Sequence, residues 1–256
     1  MFKDETVSFL PRPEGERIAY RRIAGLGPGI LWLSGFKSDM SGLKAEHMAG
    51  VAAREGIAFT AFDYYGHGAS SGDFAQGTIG HWREDALAVL DEVAPEAQIL
   101  VGSSMGGWIA LLVALARPAR VRGLVLIAPA TDFTEDLLWS HAEIREAILQ
   151  KGYWTRPSAY GLAPYPITRE LVEEARAHLL LRAPIGISAP VHILHGTKDP
   201  DIPWERSRLL AERLASARPI VDFIEAGDHR LSTPADLARL ERAVLALANQ
   251  DRGRTS

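Results

Sequence analysis

The fold is decided by ILVGSSMGGWIALL, residues 99–112. ILVGS is typical of a buried strand, and the residues from Gly107 onward are typical of an apolar helix. Gly102 and Gly106 stand two residues before and two residues after Ser104. A sharp turn from strand to helix holds its central serine in a strained conformation, so both flanking positions must be very small. The stretch therefore predicts a strand–turn–helix unit that presents Ser104 as a nucleophile.

The sequence contains a second G-x-S-x-G pattern, Gly68–Gly72, with Ser70 at its centre. The pattern alone therefore does not identify the nucleophile. Several loop residues separate Ser70 from the preceding strand pattern, and the residues after it have no helical periodicity. Ser103 is excluded because Val101, two residues before it, is branched. We interpret Ser70 as a loop serine and Ser104 as the nucleophile.

Strand and helix patterns alternate along most of the chain. A turn is predicted for GLGPG, residues 25–29, because glycine and proline favour turns. Strands are predicted at 16–24, 30–35, 57–63, 98–103, 121–130, 190–196 and 219–227. Helices are predicted at 42–54, 78–94, 104–116, 203–215 and 233–249. This order predicts an α/β fold with a mostly parallel central sheet and helices on both faces.

About sixty residues without a strong strand pattern lie between the strand at 121–130 and the strand at 190–196. We predict a small lid at residues 131–184, inserted into a core formed by 1–130 and 185–256, because plain connections of this size are uncommon. Within it, residues 153–167 are rich in aromatics and proline, which indicates a hairpin or an irregular flap. The alternative is that its aromatics only pack the insertion onto the sheet. The candidate substrate-pocket residues are Trp139, Tyr153, Trp154, Tyr160, Tyr165 and Trp204.

A serine nucleophile needs a base, and the base needs an orienting acid. For a serine at such a turn the chain order is serine, acid, histidine. Asp199 follows the strand at 190–196, and His229 is the only histidine beyond it. Asp201 is the competing acid, and Asp228 is interpreted as a loop-forming residue.

The remaining histidines near the predicted site are given structural interpretations. His192 and His195 resemble an H-x-x-H metal pair, but residues three apart on a strand face opposite sides. We therefore predict no metal site and interpret His195 as a packed residue at a strand end. His67 is interpreted as shaping its loop.

Two backbone amides are expected to stabilise the oxyanion that forms during acyl transfer. One is the amide of Met105, directly after the nucleophile. The other is the amide of Phe36, in the loop after the strand at 30–35.

Composition restricts the class of protein. The chain has 256 residues, a formal net charge of −4 and no cysteine. The charge argues against nucleic-acid binding, and the absence of cysteine excludes disulfides and cysteine nucleophiles. No apolar run reaches the roughly 20 residues of a membrane span, and no organelle presequence is recognisable. These features predict a soluble, cytoplasmic protein, and nothing in them demands an oligomer, so a monomer is plausible.

GSSMGGWIAL, HGTKDPDIPW and GDHR, in this order, resemble the α/β-hydrolases. Three further stretches narrow the resemblance to one family of α/β-hydrolases: GFKSDMSGLKA, FDYYGHGASSGDF and GTIGHWREDALAVLDE. They are similar to the abhydrolase-domain family that includes the mitochondrial palmitoyl-protein thioesterase, also described as an acyl-glucuronide esterase, and its bacterial relatives. The resemblance extends from about Glu16 to Leu247. It implies a Ser104–His229–Asp199 triad that hydrolyses acyl esters or thioesters with neither metal nor organic cofactor.

The leading hypothesis is therefore a serine hydrolase that cleaves carboxylic ester or thioester bonds of small acyl substrates through an acyl-enzyme. One alternative is a hydrolase that uses the same residues to cleave carbon–carbon bonds. A second is a receptor on a hydrolase scaffold that binds ligands without turnover, since a fold alone does not establish a function.

Overall fold

The computed structural model describes residues 6–157, 164–214 and 217–249, apart from the side chain of Glu14. Within these ranges, eight strands form one sheet: β1 Ser8–Pro11, β2 Arg17–Ile23, β3 Leu26–Leu33, β4 Ile57–Phe62, β5 Gln98–Ser103, β6 Val121–Ile127, β9 Val191–Gly196 and β10 Ile220–Ile224. They lie side by side in the order β1-β2-β4-β3-β5-β6-β9-β10. The six strands from β4 to β10 in this order are parallel, and β1 and β2 are antiparallel additions at one edge. The sheet is therefore mostly parallel, as predicted.

From the third strand onward, and outside the insertion that follows the sixth strand, strands and helices alternate. The helices are α1 Leu43–Glu55, α2 Ile79–Ala88, α3 Met105–Ala116, α4 Ala142–Lys151, α5 Arg169–Ala175, α6 Glu205–Arg213 and α7 Pro234–Asn249. A separate antiparallel pair is formed by β7 Tyr153–Arg156 and β8 Tyr165–Thr168.

The sheet has a hydrophobic core on each face, because successive side chains of a strand point to opposite sides. In β3, Leu31 and Leu33 belong to the core that includes residues of α2 and α3. Ile30 and Trp32 belong to the other core, which includes residues of α1 and α7. Central strands with both faces covered explain why their sequences are continuous apolar runs.

The insertion after β6 contains α4, β7, β8 and α5. The carboxylate of Asp132, at its start, accepts hydrogen bonds from the amides of Leu180 and Leu181 at 2.8–3.1 Å. The indole of Trp108 in α3 donates to the carbonyl oxygen of His178 at 3.0 Å. The first set of contacts joins the two ends of the insertion, and the second attaches it to α3, while its division from the core as a lid at 131–184 remains a prediction.

Two local elements differ from the sequence-based expectations. GLGPG is not a free turn, because Leu26–Leu33 form one strand whose pairing with β4 is shifted between Leu26 and Ile30. Strand β1 was not predicted, and it pairs only with β2 at the edge. The described ends of 153–167 form the β7–β8 pair, which favours the hairpin over the irregular flap.

None of the helices in the described ranges is long and apolar enough to cross a membrane.

Candidate active site

Ser104 occupies a strained turn between β5 and α3. Its backbone angles are φ 53° and ψ −117°, outside the conformations that a serine ordinarily adopts. A Cβ on Gly102 would lie 2.3 Å from the carbonyl oxygen of Gly106, and one on Gly106 would lie 2.1 Å from that of Leu33. The glycines flanking Ser104 are thus required by contact with neighbouring backbone.

Ser104, His229 and Asp199 form a continuous chain of hydrogen bonds. The Ser104 hydroxyl lies 3.1 Å from Nε2 of His229, and Nδ1 of His229 lies 2.7 Å from Oδ2 of Asp199. The three come from the loops after β5, β10 and β9, whose carboxyl ends meet at one edge of the sheet. The arrangement suits a histidine that accepts the serine proton while a carboxylate fixes its tautomer.

The side chain of Asp199 is fully buried, and both of its carboxylate oxygens accept hydrogen bonds. Its Oδ1 accepts the amides of Asp201 and Ile202 at 2.8 and 2.9 Å. Burial raises its pKa, but hydrogen bonds from His195 and His229 outweigh burial and hold the pKa well below its ordinary value of 3.8. The carboxylate therefore stays ionised beside His229.

Asp201, the competing acid, binds an arginine of the insertion. Its Oδ1 accepts a hydrogen bond of 3.0 Å from the guanidinium of Arg156, in β7. Asp228 accepts the amides of Arg230 and Leu231, which is the loop-forming role predicted for it. Of the three aspartates, Asp199 is the one whose carboxylate lies at hydrogen-bond distance, 2.7 Å, from Nδ1 of His229 in the described part of the chain.

The two predicted oxyanion amides belong to residues that line the same cavity as Ser104. Within the described part of the chain, neither the Phe36 nor the Met105 amide donates to a protein acceptor. A Cβ on Gly35, directly before Phe36, would lie only 3.4 Å from the Cβ of Ser104. The loop that carries Phe36 therefore passes beside the serine, and its amide is available to a ligand there.

Ser70, at the second G-x-S-x-G pattern, is a structural residue. Its hydroxyl donates to the carbonyl oxygen of Asp63 at 2.6 Å and accepts the amide of Ala19 at 2.8 Å. These bonds tie the glycine-rich loop to β2.

A cavity of about 470 Å³ opens beside Ser104 and His229. Its volume lies in the range of ordinary small-molecule sites. Apolar side chains form much of its lining: Trp32, Phe36, Leu43, Met105, Ala130, Phe133, Tyr165 and Ile202.

Of the six aromatic residues predicted to line the pocket, the structure brings Tyr165 to this cavity. Tyr160 lies outside the described residues. The other four are placed elsewhere, which corrects the expectation for them. Trp139 packs under the guanidinium of Arg176, and Trp204 packs against Phe223 with ring centroids 5.1 Å apart.

Tyr153 and Trp154 lie on β7, outside the cavity lining. Tyr153 is 46% exposed, whereas Trp154 packs against the hydrophobic core. Trp154 and Trp139 both pack against the hydrophobic core. For these two residues the structure favours the alternative interpretation, in which the aromatics pack the insertion onto the sheet.

Sequence reasoning missed two residues at the site. Arg156 lines the cavity and binds Asp201, and no local pattern singles out this arginine. His195 was interpreted as a packed residue, and it is buried, but its Nε2 also lies 3.2 Å from Oδ2 of Asp199. The signal for His195 was its place at the end of β9, four residues before the acid.

Metal binding finds little support in the geometry. Asp199, Asp201 and His229 each bring one ligand atom within 4.8 Å of the others. These side chains also bind backbone amides, Arg156 and one another. His192 contacts Asp222 and His195 contacts Ser207, so the rings of the H-x-x-H pair serve separate partners.

The sequence of this chain matches a known protein family and several known proteins. Residues 30–171 match the family described as Hydrolase_4, serine aminopeptidase, S33. Palmitoyl-protein thioesterase ABHD10, mitochondrial, from Rattus norvegicus is 43% identical over 236 residues, which cover 91% of this chain and 79% of that protein. The Homo sapiens protein of the same name is 37% identical over 237 residues, covering 92% and 78%.

Two solved structures resemble the whole chain. Alpha/beta hydrolase domain-containing protein 10 from mouse has a TM-score of 0.89 at 40% identity and covers 96% of this chain and 99% of its own. A hydrolase from Agrobacterium vitis S4 has a TM-score of 0.89 at 41% identity, covering 96% and 98%. These matches confirm the predicted α/β-hydrolase fold.

The same comparisons correct the predicted location. The curated relatives are named as mitochondrial, so the cytoplasmic prediction is wrong. The cytoplasmic prediction rested on composition and on the lack of a recognisable presequence. Neither observation specifies the compartment of a folded domain.

Proposed function

This chain belongs to the α/β-hydrolase family of palmitoyl-protein thioesterase ABHD10, and from that premise we propose that Ser104, His229 and Asp199 are its catalytic triad. The family makes the protein an ester or thioester hydrolase. The observation that carries the assignment of residues is the hydrogen-bonded chain Ser104–His229–Asp199, which starts at a strained turn beside the cavity.

The reaction follows from this geometry. The Ser104 hydroxyl attacks the acyl carbonyl carbon as its proton passes to Nε2 of His229. The amides of Phe36 and Met105 donate to the oxyanion of the tetrahedral intermediate. Its collapse breaks the bond to the leaving group, which takes the proton from His229, and leaves an acyl ester on Ser104. Water, deprotonated by His229, then attacks that ester and releases the carboxylic acid and the free serine.

The substrate class rests on the cavity and on the relatives. Apolar side chains such as Phe133 and Tyr165 line the space beside Ser104, which suits the hydrocarbon part of an acyl group. The relatives are named as palmitoyl-protein thioesterases, so we propose that acyl thioesters are substrates beside carboxylic esters.

Initial rates on acyl p-nitrophenyl esters of increasing chain length, run beside matched acyl thioesters, test this proposal. We expect turnover of both classes, and thioester rates that persist to long chains if the apolar lining receives the acyl group. Turnover of vinylogous diketones with none of acyl esters or thioesters would favour carbon–carbon cleavage instead. A single labelling of Ser104 by a fluorophosphonate, with no multiple turnover of any substrate, would favour the ligand-binding alternative.

A further inference from the structure

The loop that carries the Phe36 amide contains an unusual turn. The amide of Ser38 donates to the carbonyl oxygen of Gly35 at 3.1 Å, which closes a four-residue turn with Phe36 and Lys37 at its centre. Lys37 has φ 60°, whereas Phe36 is not among the residues with positive φ. A positive φ confined to the third residue is the mark of a type II turn, in which glycine or asparagine is preferred there. Lysine at this place is strained, so a contact elsewhere must hold it.

That contact is the ring of His67. Nε2 of His67 lies 3.2 Å from the amide nitrogen of Lys37, and Nδ1 lies 3.0 Å from the carbonyl oxygen of Tyr65. A carbonyl oxygen only accepts and a backbone amide only donates, so Nδ1 carries the hydrogen and Nε2 accepts. His67 is therefore a neutral imidazole with an assigned tautomer.

The surroundings of His67 keep it neutral. The residue is only 4% exposed and is packed by the rings of Tyr64, Phe74 and Trp82, with centroids 5.1–5.8 Å away. Burial lowers its pKa to about 4, with a smaller lowering by Lys37, against the Tyr65 carbonyl and Asp39, which raise it. At neutral pH the ring is thus an acceptor for the Lys37 amide.

The hydrogen bond from Lys37 selects the orientation of one peptide unit. Type I and type II turns differ mainly in the direction of their central peptide, here the one that joins Phe36 to Lys37. In the unstrained type I form the Lys37 N–H would point away from His67. The two forms share φ at Phe36 and differ in its ψ, so changing between them redirects the chain that leaves Phe36 in the loop beside Ser104.

The aromatic wall places the Phe36 side chain independently of this bond. The ring of Phe36 packs against Phe74 and Trp82 at 5.0 and 5.5 Å, the same two rings that enclose His67. A phenyl ring at position 67 would therefore keep the packing, but it would lose both the acceptor for the Lys37 amide and the donor to the Tyr65 carbonyl.

We propose that His67 is a positioning residue of the oxyanion hole, which accepts the Lys37 amide hydrogen and so holds the turn that presents the Phe36 amide to the reacting carbonyl. This role rests on the proposed function of Ser104 and Phe36. In this role His67 touches neither the substrate nor Ser104, and it acts through the backbone of Lys37.

Three substitutions separate the acceptor from the shape of the ring. Gln in H67Q can place an oxygen near the position of Nε2 and retain the acceptor for Lys37. Asn in H67N has an amide that is too short for Lys37 but can still donate to the Tyr65 carbonyl. Phe in H67F keeps the packing on Phe74 and Trp82 and removes both the acceptor and the donor.

Each variant is assayed for kcat and KM with an acyl p-nitrophenyl ester, for Ki with a matched alkyl trifluoromethyl ketone, and for Tm. The ketone forms a hemiketal on a serine and places its oxyanion in the hole. We expect H67F and H67N to lose about 10- to 100-fold in kcat, with KM within about threefold and Ki weakened in parallel, since small misplacement of catalytic groups has effects of this size. H67Q is expected to stay within about threefold of the native enzyme.

Native kcat and Ki in H67F or H67N would overturn the proposal. Equal losses in H67N and H67Q that track Tm would also overturn it, since they indicate a structural role. The H67N and H67Q pair suffices if H67F does not fold. An S104A variant, measured alongside, separates the two proposals: its retention of turnover refutes the triad, whereas its inactivity beside a fully active H67N refutes only the role of His67.

Discussion

His195 and Asp199 are in direct contact, with Nε2 of His195 3.2 Å from Oδ2 of Asp199 and both side chains fully buried. The ring is held in place by a 2.7 Å hydrogen bond between its Nδ1 and the hydroxyl of Ser207 and by a 3.0 Å bond from Nε2 to the carbonyl oxygen of Ile202. Oδ2 of Asp199 therefore lies between two imidazoles, His195 and His229, which explains why the carboxylate stays ionised although it is buried.

Replacing Asp199 with Asn should lower kcat by about 10³- to 10⁴-fold, because an amide no longer stabilises the imidazolium that His229 becomes. The matched control is D201N, which weakens the bond to Arg156 and should cost less than about tenfold. Steady-state rates on one acyl ester compare the two. A larger loss in D201N than in D199N would assign the acid to Asp201.

Replacing Ser104 with Ala should reduce turnover by about 10⁴-fold or more, because the covalent route is removed. The control is S70A, at the centre of the other G-x-S-x-G pattern. It should keep kcat and lose about 1–2 kcal/mol of stability, because the bonds of Ser70 to Asp63 and Ala19 are lost. Rates and urea denaturation measure both effects, and an inactive S70A that remains folded would contradict the assignment.

Adding a methyl group at Gly102 should disable the nucleophile turn. The new Cβ would lie 2.3 Å from the carbonyl oxygen of Gly106, so the turn must shift, and we expect kcat to fall at least about 100-fold. G50A in α1 is the control, because a Cβ at that exposed position meets no atom within 4 Å. It should stabilise the protein by about 0.5–1 kcal/mol with unchanged kcat. An active G102A with native stability would show that the turn tolerates bulk.

Truncating Tyr165 should change which acyl chains are accepted. Its ring lines the cavity, 5.6 Å from the ring of Phe36, so Y165A enlarges the space beside Ser104. We expect the optimum of a p-nitrophenyl ester series to move to longer chains. In W204A, which removes a ring that packs on Phe223 outside the cavity, stability should fall while the chain-length profile is kept. Identical profiles for Y165A and the native enzyme would remove Tyr165 from the pocket.

Asp85 gives the fold a measurable pH dependence. Burial raises its pKa to about 6 from an ordinary 3.8, against opposing effects of the Tyr65 amide, His81 and Arg12. Because the folded pKa is the higher one, its contribution to stability is full below about pH 4 and is lost as pH rises through about 6. The difference amounts to at most about 3 kcal/mol.

The D85N variant should lack this dependence, since Asn does not titrate and its side-chain oxygen can still accept the Tyr65 amide, which donates at 2.7 Å to Asp85. Urea denaturation between pH 4 and 7 should show the native enzyme losing stability relative to D85N. Parallel curves across that range would contradict the raised pKa.

The residues at the carboxyl edge of the sheet could be located from sequence because each follows from a local rule. Gly102 and Gly106 reveal the strained turn at Ser104, and the position of Asp199 after β9 follows from chain order. A hairpin was one of two interpretations of residues 153–167, but its position beside the active site and the role of Arg156 could not be predicted, because they depend on how the insertion folds back over the sheet. Trp204 illustrates the same limit, since it was a candidate for the pocket, whereas its ring packs on Phe223.

The central claim is an acyl-enzyme on Ser104. Rapid-quench mass spectrometry with an acyl p-nitrophenyl ester and with the matched acyl thioester tests it, with hydroxylamine added in parallel to trap the acyl group. The account predicts a transient adduct of one acyl group on the peptide that contains Ser104, and the same ratio of hydroxamate to acid from both substrates. An adduct on another residue, or no adduct together with a ratio that depends on the leaving group, would contradict it.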